Sequence, residues 1–439
     1  MKLKLIVASI ICMGFGTQSV VADDLSDLKE QLKIMQAQMQ VMQSKLDAQE
    51  SKINAQDSVL KVQKEETASI KHQQAVRVRE QEAKGVKHQI ADSITMGGVI
   101  DVIAKQTNND SWSGDTASDL VLDTLELSFE ASAGDWVNGS ILFLYEDAND
   151  DNFLMDQAYI TFANAEVTPF YATAGRFYVP FGNFKSNMIS DPVTLTLAET
   201  RADAAQLGIA MDNGFYGSAY VFNGDAEEEK NNYTGTDRSK IDNYGLNLGF
   251  AMENDDFSLD LGAGYINNIA NSSSLLEAMD DTGLCDGSGC TKDYVGGLSI
   301  YAIASYGQFS LIGEYIASLD DFESKELVKS ELLPYVDNKI KPKAWNIEGA
   351  YNFELAGKEA TLAIAYQKTE DMFFDTENTD FVGNAWLASI SVGIIDNTTL
   401  SAEWKHGEAY DEVKDAKRDN DKDYDSNGDL VQVKVSYEF

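Results

Sequence analysis

The last stretch of the chain, Asp429–Phe439 (DLVQVKVSYEF), decides how the residues before it are interpreted. Successive side chains of a β-strand point to opposite faces, so alternate residues share a face. One face of this stretch is apolar and carries Val431, Val433, Val435, Tyr437 and Phe439. The other face is polar and carries Gln432, Lys434, Ser436 and Glu438. The stretch therefore predicts a strand with one face against an apolar medium and the other against water.

A terminal strand that alternates over its whole length and ends on an aromatic residue resembles the closing strand of bacterial outer-membrane barrels. Open backbone groups cannot enter lipid, so such a strand needs an even set of partners that closes the sheet. The hydrophobic period is 2 from residue 94 onward and predicts sixteen strands. They span residues 94–105, 119–133, 135–147, 153–164, 168–179, 204–212, 214–224, 241–253, 256–269, 294–306, 308–318, 343–354, 359–369, 383–395, 398–407 and 429–439.

The gaps between these strands alternate between short and long along the whole chain. The short ones have the composition of tight turns, as at Asp212-Asn213-Gly214 and Asp396-Asn397. Sixteen strands enclose an aqueous lumen, and the polar faces predict a wet interior. We therefore expect an all-β transmembrane barrel of 16 antiparallel strands over residues 94–439. A soluble β-sandwich also alternates, but it does not need sixteen long strands with strictly alternating gaps.

Three segments precede the predicted barrel. Residues 1–22 combine two early lysines, a short apolar run and small residues before position 23, which is typical of a secretory signal peptide. Residues 23–84 carry a heptad repeat and contain no Gly or Pro from residue 25 to residue 84, which predicts a long α-helical coiled coil in the periplasm. The alternative is one amphipathic helix packed on a domain. Residues 85–93 are a linker, and the coiled coil with a porin-sized barrel predicts a homotrimer.

Charge and cysteine usage exclude several classes of protein. The net charge is -38, and 60 of the 72 acidic residues follow residue 92, which argues against a nucleic-acid partner. Cys285 and Cys290 are predicted to form a disulfide that closes a tight loop in an exported protein. No metal site and no cofactor are expected, because two thiols without a nearby His offer too few ligands. His406 stands alone without a Ser-centred motif, so we expect no enzyme.

The third long gap is the candidate pore constriction, because it corresponds by position to the loop that folds inward in trimeric porins. Its charges, with those of the flanking strands, are Arg176, Lys185, Asp191, Glu199, Arg201 and Asp203. Opposed charges of this kind set a transverse field across a pore, or they pair and hold the loop down. Arg176 points into the lumen if Phe177 faces lipid. Strand parity adds the lumen candidates Glu126, Glu130, Glu348, Glu403, Lys405 and Lys434, although a one-residue slip would reverse each.

With these features in hand, the motif stretch Ala174–Glu199, which contains GRFYVPFG and SDPVTL, resembles the LbtU-type siderophore porin family. The resemblance covers essentially the whole mature chain. It implies an outer-membrane receptor without a plug that imports a ferric siderophore, and it brings no substrate-binding residues. Two other functions stay open: a general cation-preferring diffusion porin, favoured by the acidity, and a tether between outer membrane and peptidoglycan that uses the coiled coil.

Overall fold

The computed structural model describes residues 88–91, 93–108, 117–147, 153–228, 241–254, 256–281, 290–291, 293–328, 333–372, 383–410 and 427–439. The predicted signal peptide and coiled coil, residues 85–87 and 92 of the linker, and Cys285 of the predicted disulfide lie outside these residues.

Sixteen strands form one antiparallel sheet that closes on itself. They are β1 (Ile94–Asn108), β2 (Ala117–Ala133), β3 (Val137–Glu146), β4 (Phe153–Ala163), β5 (Phe170–Tyr178), β6 (Arg201–Ala210), β7 (Phe215–Phe222), β8 (Asn243–Glu253), β9 (Phe257–Ile266), β10 (Gly297–Tyr306), β11 (Phe309–Ser318), β12 (Lys343–Leu355), β13 (Lys358–Glu370), β14 (Asn384–Ile395), β15 (Thr398–Glu408) and β16 (Asn427–Glu438). Each strand pairs with its neighbours in sequence, and β1 pairs with β16. The predicted sixteen strands and their order are confirmed, with ends displaced by at most about three residues.

The other described elements precede β1 or lie in the long connections. A short strand, His88–Ala91, pairs with the start of β1. The helices are α1 (Val193–Ala198), α2 (Ser273–Asp281) and α3 (Ser324–Leu327), with 3-10 turns at Ile269–Asn271 and Leu333–Tyr335. Two-residue strands pair as Glu227–Glu228 with Cys290–Thr291 and as Phe322–Glu323 with Lys339–Ile340. In the described part of the chain no helix combines the length and the hydropathy needed to cross a bilayer.

The terminal strand has the predicted orientation. Val431, Val433 and Tyr437 are exposed on the outer surface, whereas Gln432 on the opposite face is 6% exposed. Outward-facing aromatic rings lie near the strand ends, as expected for the aromatic girdles at the two membrane interfaces. At the end with the long connections, Trp345, Tyr366 and Trp386 are in ring contact at centroid distances of 5.2 and 4.7 Å. At the opposite end the ring contacts are Phe215 with Phe250 and Phe309 with Tyr351.

Short turns and long loops occupy opposite ends of the barrel. A two-residue turn joins β12 to β13 through Ala356 and Gly357, which have φ angles of +53° and +80°. Two successive residues with positive φ are typical of a type I′ turn, whose twist matches that of the two strands it joins. Since outer-membrane barrels keep short turns in the periplasm, the long connections are extracellular. We name four of them L3 (residues 179–200), L4 (223–242), L5 (267–296) and L6 (319–342).

Phe439 pairs with Gly98 of the first strand at the seam between β1 and β16. Gly98 N–H donates to the Phe439 carbonyl at 2.9 Å, and Phe439 N–H donates to the Gly98 carbonyl at 3.0 Å. A Cβ atom at residue 98 would lie 2.5 Å from Cζ of the Phe439 ring. The glycine therefore leaves the space that the terminal ring occupies.

The largest apolar cluster lies at the extracellular mouth, and we call it the mouth cluster. It combines strand ends with L3, L4, L5 and L6, and includes Val179, Phe181, Leu197, Phe222, Ala226, Ile269, Leu275, Met279, Phe322, Leu327 and Ile340. Leu142 and Leu144 are also buried on the inner face of β3. The expectation of a wet interior is therefore wrong for this sector, because the loops are long enough to bring apolar residues inward.

Candidate functional site

L3 leaves β5 through a sharp reversal that the sequence Val179-Pro180-Phe181-Gly182 encodes. Gly182 has a φ of +91°, a conformation that side chains other than glycine rarely adopt. A Cβ atom there would lie 2.5 Å from the Phe184 ring and 3.1 Å from Oε1 of Glu314. The reversal turns the backbone N–H groups of the next residues toward the inner wall of β11.

Three glutamates of the inner wall hold the tip of L3, and we call them the clamp glutamates: Glu314 on β11, Glu348 on β12 and Glu403 on β15. Their exposed fractions are 6%, 1% and 3%. A buried carboxylate is costly unless it is hydrogen-bonded, and each of these three is bonded to backbone N–H groups of the loop.

The clamp bonds follow the loop in sequence order. Glu314 accepts from the N–H groups of Asn183 and Phe184 at 2.6 and 3.1 Å. Glu348 accepts from Ser186 Oγ at 2.7 Å and from Asn187 N–H at 2.8 Å.

The third clamp glutamate continues the series. Glu403 accepts from Ile189 N–H at 2.5 Å, from Ser190 N–H at 3.2 Å and from Ser190 Oγ at 2.6 Å. Gln432 on β16 donates to Ser190 Oγ and to Glu403 at 3.0 and 2.9 Å. The loop tip therefore runs along the inner wall from β11 to β16.

Helix α1 returns from the tip toward β6. Thr194 Oγ1 donates to Glu314 at 2.8 Å, so the same carboxylate holds both limbs of the loop. Val193, Leu195 and Leu197 of the helix are buried in the mouth cluster. L3 is thus fixed between a polar clamp on the wall and an apolar cluster above it.

The part of the wall next to the clamp, formed by β16, β1, β2 and β3, carries paired charges on its inner face. Lys434 Nζ lies 2.9 Å from Oδ2 of Asp101, and their side chains are 23% and 10% exposed. Lys105 Nζ lies 3.9 Å from Oδ2 of Asp147 near the mouth.

All six lumen candidates lie on the inward side of their strands. Glu126, Glu348, Glu403 and Lys405 are buried there, while Glu130 and Lys434 are partly exposed.

The residues predicted for the constriction are not brought together as one set. Lys185 and Asp191 are exposed on L3, and Glu199 lies at its end. Arg201 Nη1 donates to Asp156 at 2.5 Å, and this aspartate also accepts from Tyr178 at 2.9 Å.

Several acidic side chains lie close together near the end of L3 that leads into β6. The carboxyl group of Glu146 on β3 lies within electrostatic range of Asp191, Glu199 and Asp156. Since Arg201 is bound to Asp156, this part of the lumen is acidic on both the loop and the wall.

Arg176 and Asp203 lie on the outer face of the barrel. Arg176 shares its strand face with Phe170, which is 62% exposed, while Phe177 on the inner face is 0% exposed. Phe177 packs edge-on against Tyr159 with a centroid distance of 6.0 Å. The expectation that Arg176 points into the lumen is therefore wrong. Of Arg176 and Phe177, it is Phe177 that points inward, where it packs against other apolar groups.

Three site residues were missed at the sequence level: Glu314, Glu146 and Asp156. Glu314 lies on the same strand face as the inward Ile312 and Ile316, on a correctly predicted strand, so parity alone could have found it. Asp156 lies where the β3–β4 register shifts, and no alternation in the sequence reveals that irregularity. Among the described residues no group of three or more His, Cys, Asp or Glu side chains is placed to hold a metal ion.

A closed barrel of sixteen antiparallel strands, with its third loop clamped against the inner wall, defines an outer-membrane channel of the porin type. A family model described as Gram-negative porin matches residues 68–383, more than half of the chain. The chain belongs to the Gram-negative porin family, which places the barrel in the outer membrane. Membership of this family does not identify the solute, so import of a siderophore, which the narrower resemblance implies, is a separate question.

Related proteins are distant in sequence. A UPF0422 protein of Coxiella burnetii is 26% identical over 306 residues, which cover 68% of this chain and 61% of the relative. A UPF0422 protein of Legionella pneumophila strain Lens is 24% identical over 319 residues, which cover 68% of this chain and 56% of the relative. The matched segment thus spans less than two thirds of either relative.

Solved porins share the fold. An anion-selective porin from Comamonas acidovorans has a TM-score of 0.50 and 14% identity over 79% of this chain and 99% of its own. The high-pH structure of Pseudomonas putida OprB has a TM-score of 0.50 and 12% identity over 81% of this chain and 94% of its own. At such identities the likeness concerns the fold alone.

Proposed function

We propose that this porin is a diffusion channel that prefers small cationic solutes. One observation carries the proposal: Asp191 and Glu199 on L3, with Glu146 on the facing strand β3, concentrate negative charge where the loop enters the lumen. A ring of carboxylates raises the local concentration of cations and repels anions.

Two of the neighbouring cations are paired with carboxylates. Lys434 lies against Asp101, and Arg201 lies against Asp156. The net charge of -38 for the whole chain acts in the same direction. We therefore expect a cation-to-anion permeability ratio above one.

Reversal potentials across planar bilayers in a KCl gradient test this proposal. Asp191→Asn should lower the permeability ratio, because it removes one charge from the loop side. Asp396→Asn, in the exposed turn between β14 and β15, is the matched control and should leave the ratio unchanged. A wild-type channel that prefers chloride would contradict the proposal.

Import of a ferric siderophore is the second candidate, and the sequence resemblance favours it. Its most specific stretch, Ala174–Glu199, forms the end of β5 and nearly all of L3, so the resemblance concerns the loop that narrows the lumen. Arg176 supplies no cation to that path. A ferric siderophore that blocks the ionic current would support this candidate, whereas an unaffected current would remove it.

We also propose that residues 23–84 form a periplasmic coiled coil that joins three barrels in a homotrimer. The heptad repeat of this segment supports the proposal. Chemical crosslinking in cells should yield trimers that disappear when residues 23–84 are deleted. A full chain that conducts no ions would instead favour the tether between outer membrane and peptidoglycan.

A further inference from the structure

The back of L3, which is the side of the loop that faces the barrel wall, carries an apolar contact. Met188 packs there against a small patch on the inner faces of β13 and β14. The patch consists of Ala365, Ala385 and Leu387, which are 1%, 0% and 1% exposed. Because two of its three members are alanines, the patch leaves room for the long side chain of Met188 against the wall.

Hydrogen bonds on both sides of Met188 fix its direction. The carbonyl of Asn187 accepts from Ser389 Oγ of β14 at 2.9 Å. The N–H group of Ile189 donates to Glu403 of β15 at 2.5 Å. The peptide groups before and after Met188 are thus tied to the wall, and the side chain between them is held against the patch.

Polar side chains continue the wall above and below this contact. On the extracellular side, Gln367 of β13 is 0% exposed, and neither atom of its amide has a hydrogen-bond partner among the described residues. Its register partner Asn346 on β12 has an Oδ1 that likewise finds no partner there. On the periplasmic side, Ser391 Oγ and Ser401 Oγ lie 2.9 Å apart. Amides and hydroxyls bind water, so an open gap between L3 and this wall would be hydrated.

We propose that Met188 is the seal of this channel: its side chain closes the space behind L3, so that solutes pass only in front of the loop. A hydrophobic constriction excludes water and therefore ions, even where polar groups lie on either side of it. The unbranched thioether adapts to an irregular surface, which suits it to this contact. The clamp glutamates hold the loop in place, whereas Met188 determines whether a second path exists behind it. The proposal rests on the channel class and not on the preference for cations.

The accessibility of residue 367 tests the seal by a measurement that does not depend on charge. In the full chain, purified in detergent, Gln367→Cys places a thiol behind the loop. Methyl methanethiosulfonate is a small neutral reagent for this thiol, and mass spectrometry measures labelling relative to the parent chain. We expect slow labelling while Met188 is present. Labelling should be at least about tenfold faster with Met188→Ala, because the shorter side chain leaves room for about two water molecules.

Two further variants separate the seal from other effects of the substitution. Met188→Leu keeps an apolar side chain of similar volume, and Met188→Ala combined with Ala385→Met returns the thioether from the wall. Both should restore slow labelling of residue 367. In planar bilayers the single-channel conductance should rise in Met188→Ala alone, because a second path adds its current to the first.

Fast labelling while Met188 is present, or unchanged labelling or conductance in Met188→Ala, would overturn the proposal. Faster amide exchange at Ile189 and Ser190 in Met188→Ala would also overturn it, since the loop would then have moved as a whole. A wild-type channel that prefers chloride would contradict the proposed function but would leave the seal standing.

Discussion

Replacing Glu403 with glutamine tests whether the clamp glutamates hold L3. In the wild type, Oε2 accepts from the N–H groups of Ile189 and Ser190, and Oε1 accepts from Ser190 Oγ and Gln432 Nε2. Glutamine keeps the shape but turns one of the two oxygens into an NH₂ donor. With its NH₂ group toward Ser190 Oγ, which can also accept, glutamine keeps the two backbone hydrogen bonds but removes the charge of their acceptor.

The expected loss follows from the charge that the two backbone bonds lose. A hydrogen bond to a charged group contributes about 1.5–3 kcal/mol and a neutral one about 0.5–1.5 kcal/mol, so two bonds that become neutral lose about 2–3 kcal/mol together. Since 1.4 kcal/mol is a factor of ten, the equilibrium constant for local opening of the loop tip should rise roughly 100-fold. The strand ladders are untouched, so the barrel itself should stay folded.

Hydrogen exchange of the amides at Ile189 and Ser190 measures this opening. Both should exchange roughly 100-fold faster in Glu403→Gln, and single-channel currents should become noisier as the loop moves. Glu354→Gln, at an exposed position near the periplasmic turn, is the control and should change neither. Unchanged exchange at the two amides, or faster exchange throughout the barrel, would refute the clamp.

Three further substitutions probe other parts of the barrel. Gly98→Leu should lower the unfolding temperature on heated gels, since overpacking against the Phe439 ring costs about 1–3 kcal/mol; an unchanged temperature would mean that the seam can repack. Ala356→Asn should stabilise the barrel by about 0.5–1 kcal/mol in urea titrations, because asparagine tolerates the left-handed conformation better than alanine; a loss of stability would contradict this. Lys434→Gln should raise the cation-to-anion permeability ratio, since the Asp101 charge loses its counter-charge; a lower ratio in bilayers would argue against a lumenal position for this pair.

Much of the fold could be predicted because lipid and water act on opposite faces of each strand. The alternation at residues 429–439 and the alternating gaps gave sixteen strands in the observed order. The same parity placed Glu348 and Glu403 on the inner wall, where both contact L3.

Parity failed where the inner wall meets apolar groups instead of water. Alternation places Arg176 in the lumen only if Phe177 faces lipid, and Phe177 instead packs inside against Tyr159. Leu142 and Leu144 are buried inside for a similar reason. Ala226 and Ile269 of the mouth cluster come from loops that carry no periodic signal. The contacts made by folded loops are therefore beyond what strand periodicity can predict.

The seam between β1 and β16 also constrains how the molecule is made. Residues 99–108 of β1 pair with residues 429–438 of β16, so the sheet cannot close before its last strand is available. Until these two strands pair, each has an unpaired edge that could pair with another chain. The fold therefore loses its last open edges in a single step that joins the two ends of the barrel sequence.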